Sequence, residues 1–600
     1  MKKFISVLLS LLMVFSLCLS VSADDGKVAK IGDKEYSTLQ EAIDAGEGET
    51  VVLISDVDIS NGGVRVNTNT TLDLNGHLIK VANSSNGNIA VNKNLTLIDS
   101  SDVKCDGTGT GKIYTETAYI YGEFDKVIIS VNNGATFTMK SGLIDTSSFT
   151  DNNKDEGQFA IGFPDTYKEE ATVIIDGGHV KAGWYAVSGN GNNDEKGADQ
   201  NIIVNGGILE STSDYAIYHP HKGTTTINDG VVYGASGGVA INRGNLVVNG
   251  GTITSKGVGS TGNWGDGTGK MDKAAVNISA KYGATDVKLN EGKFIAEGNA
   301  ISLIKDLKYP SSLTITGGTY SSDISEYLSD DLVQNTVGTV VEKTYVASIG
   351  DKKYETLKEA INESNDGDTI KVLSSVSLNN GLTLNKDITI DLGGNTIESK
   401  GMLFDIYSKV TLKNGIFRGT EFAKEGATIW LNKNASLLVE KDATIEVKSN
   451  DGVSSFVIAL YKDCDGASLN VNGTLKGENG VTVNGNILAN NTVNIDGATI
   501  DVTGHGLYLA GVATTNISNT NINAGSTAIE IRAGKLNIKD GTYTSAGEFK
   551  TSPNENGTTV DGAALAVSQH TTKLPIDVTI DGGSFKGEYS LYEGAPVRCI

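Results

Sequence analysis

One small pattern recurs through most of this chain: a few residues alternating apolar and polar, then Gly-Gly or Asp-Gly, then another apolar residue. It stands at Val173–Gly178, Ile202–Gly207, Leu246–Gly251, Leu313–Gly318 and Val578–Gly583. The turn pairs at 177, 206, 230 and 250 lie 29, 24 and 20 residues apart. A sandwich or an up-and-down barrel would place turn signals about every 8–12 residues, between antiparallel partners. One turn per coil-length instead predicts stacked coils, in which each strand pairs in parallel with its equivalent in the next coil and the inward Val, Ile and Leu form one continuous core. Glycine at the corners supplies the positive φ that sharp bends require.

A longer repeat is laid over the short one. Ile31–Ile43 returns as Ile349–Ile361 at an offset of 318, and the same offset carries Thr71–Gly76 onto Thr389–Gly394, so the copies are expected to run in register without an insertion. Each copy opens with a helix signal. Thr38 with Glu41, and Thr356 with Glu359, form a capping box, and Leu39, Ala42 and Ile43 (Leu357, Ala360 and Ile361 in the second copy) share one face. A coil stack leaves an unpaired strand edge at its end, and these short helices are placed to plug it. The expected organisation is a signal segment over 1–23, a first solenoid over 24–329, a polar linker over 330–345 and a second solenoid over 346–600. Asp323–Leu328 is read as the closing segment of the first unit. The second unit shows no equivalent, which suggests a chain shorter than the full gene product or a last coil covered by another subunit.

Composition narrows the partners. Lys2 and Lys3, the apolar run from Phe4 to Val21 and the small residues Val21-Ser22-Ala23 read as a secretory signal. Cys18 follows Leu17 rather than a small residue, so no lipid anchor is expected. The remaining Cys105, Cys464 and Cys599 give neither a disulfide framework nor a metal spacing. A net charge of −23 argues against nucleic acid, whose phosphates would be repelled. No later segment is apolar for long enough to span a bilayer.

The Tyr-x-Thr-Leu-x-Glu-Ala-Ile helix, the Thr-[Leu/Ile]-Asp-Leu-x-Gly coil after it, the Gly-Gly-Thr rungs at Gly250–Thr252 and Gly317–Thr319, and segments such as Gly506–Gly511 and Ile529–Gly534 resemble one family. It is the extracellular pectin-lyase-like proteins found on the surface of Gram-positive anaerobic bacteria. The resemblance covers nearly all of 28–595. It implies an all-β, right-handed parallel β-helix solenoid in two tandem units and a secreted or cell-surface location. It implies activity far less firmly, because the scaffold hosts lyases, hydrolases, glycan binders and structural stalks alike.

Against those chemistries the residues read as follows. A lyase of this class would need carboxylates converging on Ca²⁺ and an Arg or Lys to take the proton; after the signal the arginines are Arg65, Arg243, Arg418, Arg532 and Arg598, lysines are plentiful, and no Asp-rich rung with a basic neighbour stands out. A pectin hydrolase would pair acids near a Gly-His-Gly. Gly504-His505-Gly506 makes His505 the one catalytic candidate, but no Asp-Asp pair lies upstream and Ile531-Arg532-Ala533 lacks the expected lysine, so a structural turn is the simpler reading. His219-Pro220-His221 offers two imidazoles for a metal with no third ligand, and reads more simply as a solvated corner. The acidic stretches 151–156 and 190–195 could offer oxygen ligands to Ca²⁺ but lack the spacing of a calcium loop, and no cofactor is assigned. Trp184, Tyr185 and above all Trp264, in a glycine-rich loop, are the candidates for stacking on sugar rings, beside Tyr119, Tyr121, Tyr215 and Tyr218; core filling is the alternative for each. The expected function is a non-catalytic β-helix that adheres to or binds extracellular polysaccharide or a host glycan. The alternatives are a polysaccharide lyase or glycoside hydrolase acting on polyuronates, and a purely structural stalk.

Overall fold

The computed structural model describes residues 26–82, 88–116, 127–148, 159–163, 168–189, 197–257, 272–305, 307–460, 464–483, 490–554 and 557–594. The signal segment, Cys18, Tyr119, Tyr121, Trp264, Cys599 and the acidic stretches 151–156 and 190–195 lie outside these residues. The chain divides into two compact units, Met1–Lys343 and Thr344–Ile600.

Each unit is a parallel β-helix with three sheets. In the first, sheets of twelve, ten and nine strands take every third strand in chain order, so each coil contributes one strand to each sheet. Ile202, Thr225, Leu246, Val287 and Leu313 pair in register on successive coils. The alternation in each strand decides which side chains enter the cylinder: in Ala171–Ile175 and Gln200–Val204 the first, third and fifth residues are buried and the others half-exposed. The second unit repeats the plan with sheets of eleven, nine and nine strands. Among the described residues no helix is long and apolar enough to cross a membrane.

The Asn-x-Gly corners of the first unit stack as a ladder. Asn205 donates to Asp176, Asn228 to Asn205, Asn249 to Asn228 and Asn290 to Asn249, each at 2.8–2.9 Å. In the second unit a ladder of asparagines within the strands, rather than at corners, runs Asn470, Asn494, Asn516 and Asn537. The glycine two residues after Asn205 is required by both conformation and space: Gly207 has φ +75°, and a Cβ there would lie 2.7 Å from the carbonyl oxygen of Gly178 in the preceding coil.

Helix α1 (Leu39–Ala45) is capped by Thr38 and Glu41 reciprocally, and it buries Leu39, Ala42 and Ile43 in the first core. Helix α2 (Leu357–Glu363) does the same with Thr356 and Glu359, burying Leu357, Ala360 and Ile361 in the second. The copies are not strictly in register. The strand after α1 starts at Thr50 and the strand after α2 at Thr369, an offset one greater than 318, which persists at Val57 and Val376 and returns to 318 at the strands from Val64 and Leu382. The helix-to-strand connection of the second copy is therefore one residue longer.

The stretch 330–345, expected as a linker, is structured. Leu332–Gln334 and Val340–Glu342 form an antiparallel pair, Thr319 bridges to Thr339, and Leu332 and Val340 pack on the first core beside Ile324 and Tyr327. Its polar composition reflects exposure of the hairpin's far side.

Candidate functional site

In the second unit, the third sheet runs through Leu382–Leu384, Phe404–Ile406, Ala427–Leu431, Phe456–Leu460, Asn479–Val483, Leu507–Leu509, Ile529–Ile531, Ala563–Val567 and Tyr589–Glu593. Because side chains alternate, the neighbours of the buried Ile, Leu and Val point away from the core. Parallel register stacks those outward residues into one row: Asp405, Trp430, Ala459, Thr482, Tyr508, Glu530, Ala566 and Tyr592. Phe456 pairs with Asn479 in an adjoining row, and the Oδ1 of Asn479 accepts the backbone N–H of His505 at 2.9 Å.

The row has an open part and a closed part. Asp405, Trp430, Phe456, Thr482 and Tyr508 are half-buried. The Trp430 indole N–H donates to the carbonyl of Ala427 at 3.1 Å, which fixes one edge of the ring. Tyr508 is held from three sides: Phe456 at 6.5 Å between ring centres, His505 edge-on at 5.8 Å, and Arg532, whose Nη1 donates to the phenol oxygen and whose guanidinium carbon lies 5.5 Å from the ring centre.

One rung further, Glu530 and Arg532 are both 0% exposed. Their cover is a hairpin, Lys550–Asn554 with Gly557–Asp561, inserted between consecutive coils. Thr559 and Ser568 each donate a hydroxyl to the Glu530 carboxylate at 2.7 Å. His505 Nε2 lies 3.3 Å from the same carboxylate but out of hydrogen-bonding alignment, and Arg532 Nε lies at 4.0 Å. Ionised groups are buried only where opposite charge and hydrogen bonds offset desolvation, and this set supplies both.

His505 thus belongs to a cluster, but not to a paired-acid centre. A glycosidase sets two carboxylates on either side of the scissile bond; Glu530 is the one carboxylate within the distances above, and it is committed to the hairpin. Both glycines around His505 are dictated by close approach: a Cβ at Gly504 would lie 2.3 Å from Asn479 Oδ1, and one at Gly506 2.4 Å from the carbonyl of Ala528. Among the described residues no group of three or more His, Cys, Asp or Glu is placed to hold a metal ion.

The first-unit candidates come together in a different way. Trp184 and Tyr185, expected on exposed loops, are 4% and 2% exposed. Phe159, Trp184, Tyr185 and Tyr218 form a continuous stack with centroid spacings of 4.7, 4.8 and 4.9 Å, separate from the cylinder core. Their faces are used by one another, and the Trp184 N–H and Tyr185 O–H both donate to Asp214 Oδ2. Burial and the Asp214 charge push the Tyr185 phenol well above its ordinary range.

The solvated corner expected at His219-Pro220-His221 is also corrected. His219 pairs with Ile241 in the core-facing column and shares a short hydrogen bond with Thr225. His221 packs edge-on against Phe163 and directly over Gly189, where no Cβ could fit. Burial depresses both imidazoles, His219 well below its usual value and His221 to about 4. They are neutral core residues, which a dipeptide pattern does not reveal.

Sequence reading missed Trp430 and Phe456 altogether and took Tyr508 and Glu530 only as parts of repeats. The available signal was parity: Trp430 sits between inward Ile429 and Leu431, the place where a large aromatic must face outward.

No protein-family model matches the chain, and no curated protein does. Among solved structures it is similar to a PL6 family alginate lyase, with 10% identity over 93% of this chain and 97% of that one and a TM-score of 0.22. A superposition this loose carries no argument about the site.

Proposed function

We propose that this is a secreted, non-catalytic β-helix protein that binds polysaccharide on the outer face of the third sheet of the second unit. The carrying observation is three half-exposed rings, Trp430, Phe456 and Tyr508, on one sheet face, with half-exposed Thr482 and the buried Ala459 standing between Trp430 and Tyr508 in the row. Trp430 and Tyr508 stand three strands apart, about 14 Å at the usual strand spacing, a span suited to a short oligosaccharide. Aromatic faces offer large, rigid apolar area to sugar C–H groups, while Thr482 and Asp405, whose Oδ1 accepts from the Asn432 amide at 2.6 Å, supply hydrogen-bonding groups beside them.

The charge of the face favours neutral sugars. Among its described half-exposed residues Asp405 is charged and none is lysine or arginine, and the chain as a whole is at −23. Polyuronates would meet repulsion from Asp405 and from the net charge of the chain. The test is affinity electrophoresis of the intact protein in mixed-linkage β-glucan, linear mannan, xylan, polygalacturonate and alginate. Retardation by a neutral polymer, reduced about tenfold in affinity by Trp430→Ala for a loss of about 1.4 kcal/mol, supports the reading. Release of reducing ends or of unsaturated products from any of the five overturns it.

A further inference from the structure

The proposed binding face has a wall at one end. Val560 of the Lys550–Asp561 hairpin is fully buried against the outward Ala563 and Ala566, flanked by Phe549 and Tyr592. Gly557, at φ +113°, lies so close over Arg532 that a Cβ would meet Nη2 at 2.5 Å. The second strand of the hairpin is fastened to the coils: Thr559 donates to Glu530, Ser526 to Asp561, and Thr527 to the carbonyl of Val560. It also bridges to His570 through Gly557. It is a fixed part of the surface, and the outward row passes from half-exposed at Tyr508 to 0% exposed at Glu530 within a single strand spacing.

Resting on the binding reading above, we infer that the face receives the end of a neutral glycan chain rather than an internal stretch. A polymer lying along the Trp430–Tyr508 direction meets the hairpin immediately beyond Tyr508, so its chain must stop there. The wall is also chemically suited to a terminus. The Tyr508 hydroxyl, oriented by Arg532, stands at the junction, and a terminal sugar presents a free hydroxyl where an internal one continues through a glycosidic oxygen. Hydrogen-bonding groups fixed in place discriminate strongly between ligands that carry the matching hydroxyl and those that lack it.

The experiment uses the intact protein with mixed-linkage β-glucan and linear mannan, each whole and after limited endo-hydrolysis, compared at equal mass. Recognition of ends raises the binding capacity per gram in proportion to the ends created. Oligosaccharides reduced at one terminus or acetal-blocked at the other then identify which end, one of the two losing binding. Retention with capacity per gram unchanged by digestion overturns end recognition while leaving glycan binding intact. No retention of either polymer, whole or digested, overturns both. Replacing 550–561 by a Gly-Ser turn is expected to abolish the preference for digested polymer in a variant that keeps its far-ultraviolet strand signal; persistence of the preference in such a variant also overturns the inference, and if the variant fails to fold, the wild-type comparison decides alone.

Discussion

Acid is expected to weaken the first unit through His221. Its ring is buried against Phe163 and Gly189, with Arg243 the nearby positive charge that further disfavours a second one. The folded chain therefore holds the imidazole neutral down to about pH 4, against an ordinary 6.5. Above 6.5 neither state carries the proton and the group contributes nothing to pH dependence. Between 6.5 and about 4 the unfolded chain binds a proton that the folded chain refuses, so stability falls as pH falls and levels off below about 4. At 1.36 kcal/mol per pH unit, that window is worth about 3 kcal/mol, and His219, depressed in the same direction, adds to it. Urea unfolding in a Trp430→Phe background leaves Trp184 and Trp264, both of the first unit, as reporters. His221→Gln is expected to be less stable than its parent at pH 7 but to have a flatter stability curve from 6.5 down to 4.5. Parallel curves for the two proteins would refute the argument, because they would mean the imidazole titrates alike folded and unfolded.

Glu530→Gln removes the charge that compensates buried Arg532, and is expected to cost about 3–5 kcal/mol in the second unit and to expose the 550–561 hairpin to protease; unchanged unfolding and no new cleavage would contradict the ion pair's role. Gly207→Ala forces a Cβ toward the Gly178 carbonyl at positive φ, for a loss of about 1–3 kcal/mol read in the first-unit midpoint. Thr356→Ala removes the cap hydrogen bond to the Glu359 N–H and should lower second-unit stability by about 1 kcal/mol; Thr38→Ala is the matching change in the first.

Much of the architecture is written locally. The alternation in Ile202–Val204 and the Asn205-Gly206-Gly207 corner after it contain the strand, its inward face and the bend, and each coil repeats them. The capping box at Thr38 and the stripe of Leu39, Ala42 and Ile43 are equally local. The binding face was not legible in the same way, because its residues are far apart in the chain. Trp430 and Tyr508 share a row only after the coil lengths between them set the register. The histidines misled for a related reason: His219 continues its strand with its side chain on the core side, although the Pro220 that follows suggested a loop.

What the amino-acid order determines by itself is a stack of coils, since period-two patterning with a glycine corner once per coil cannot bury its apolar side chains except against a copy of itself. What only the tertiary structure decides is how the outside of that stack is used. Burial of Glu530 and Arg532 depends on a hairpin folded back over them, while Trp430, in the same row, stays half-exposed. Inward residues answer to one requirement, the filling of the cylinder, which every coil states anew. Outward residues answer to whichever loop or neighbouring strand crosses them, and that is a property of the folded chain alone.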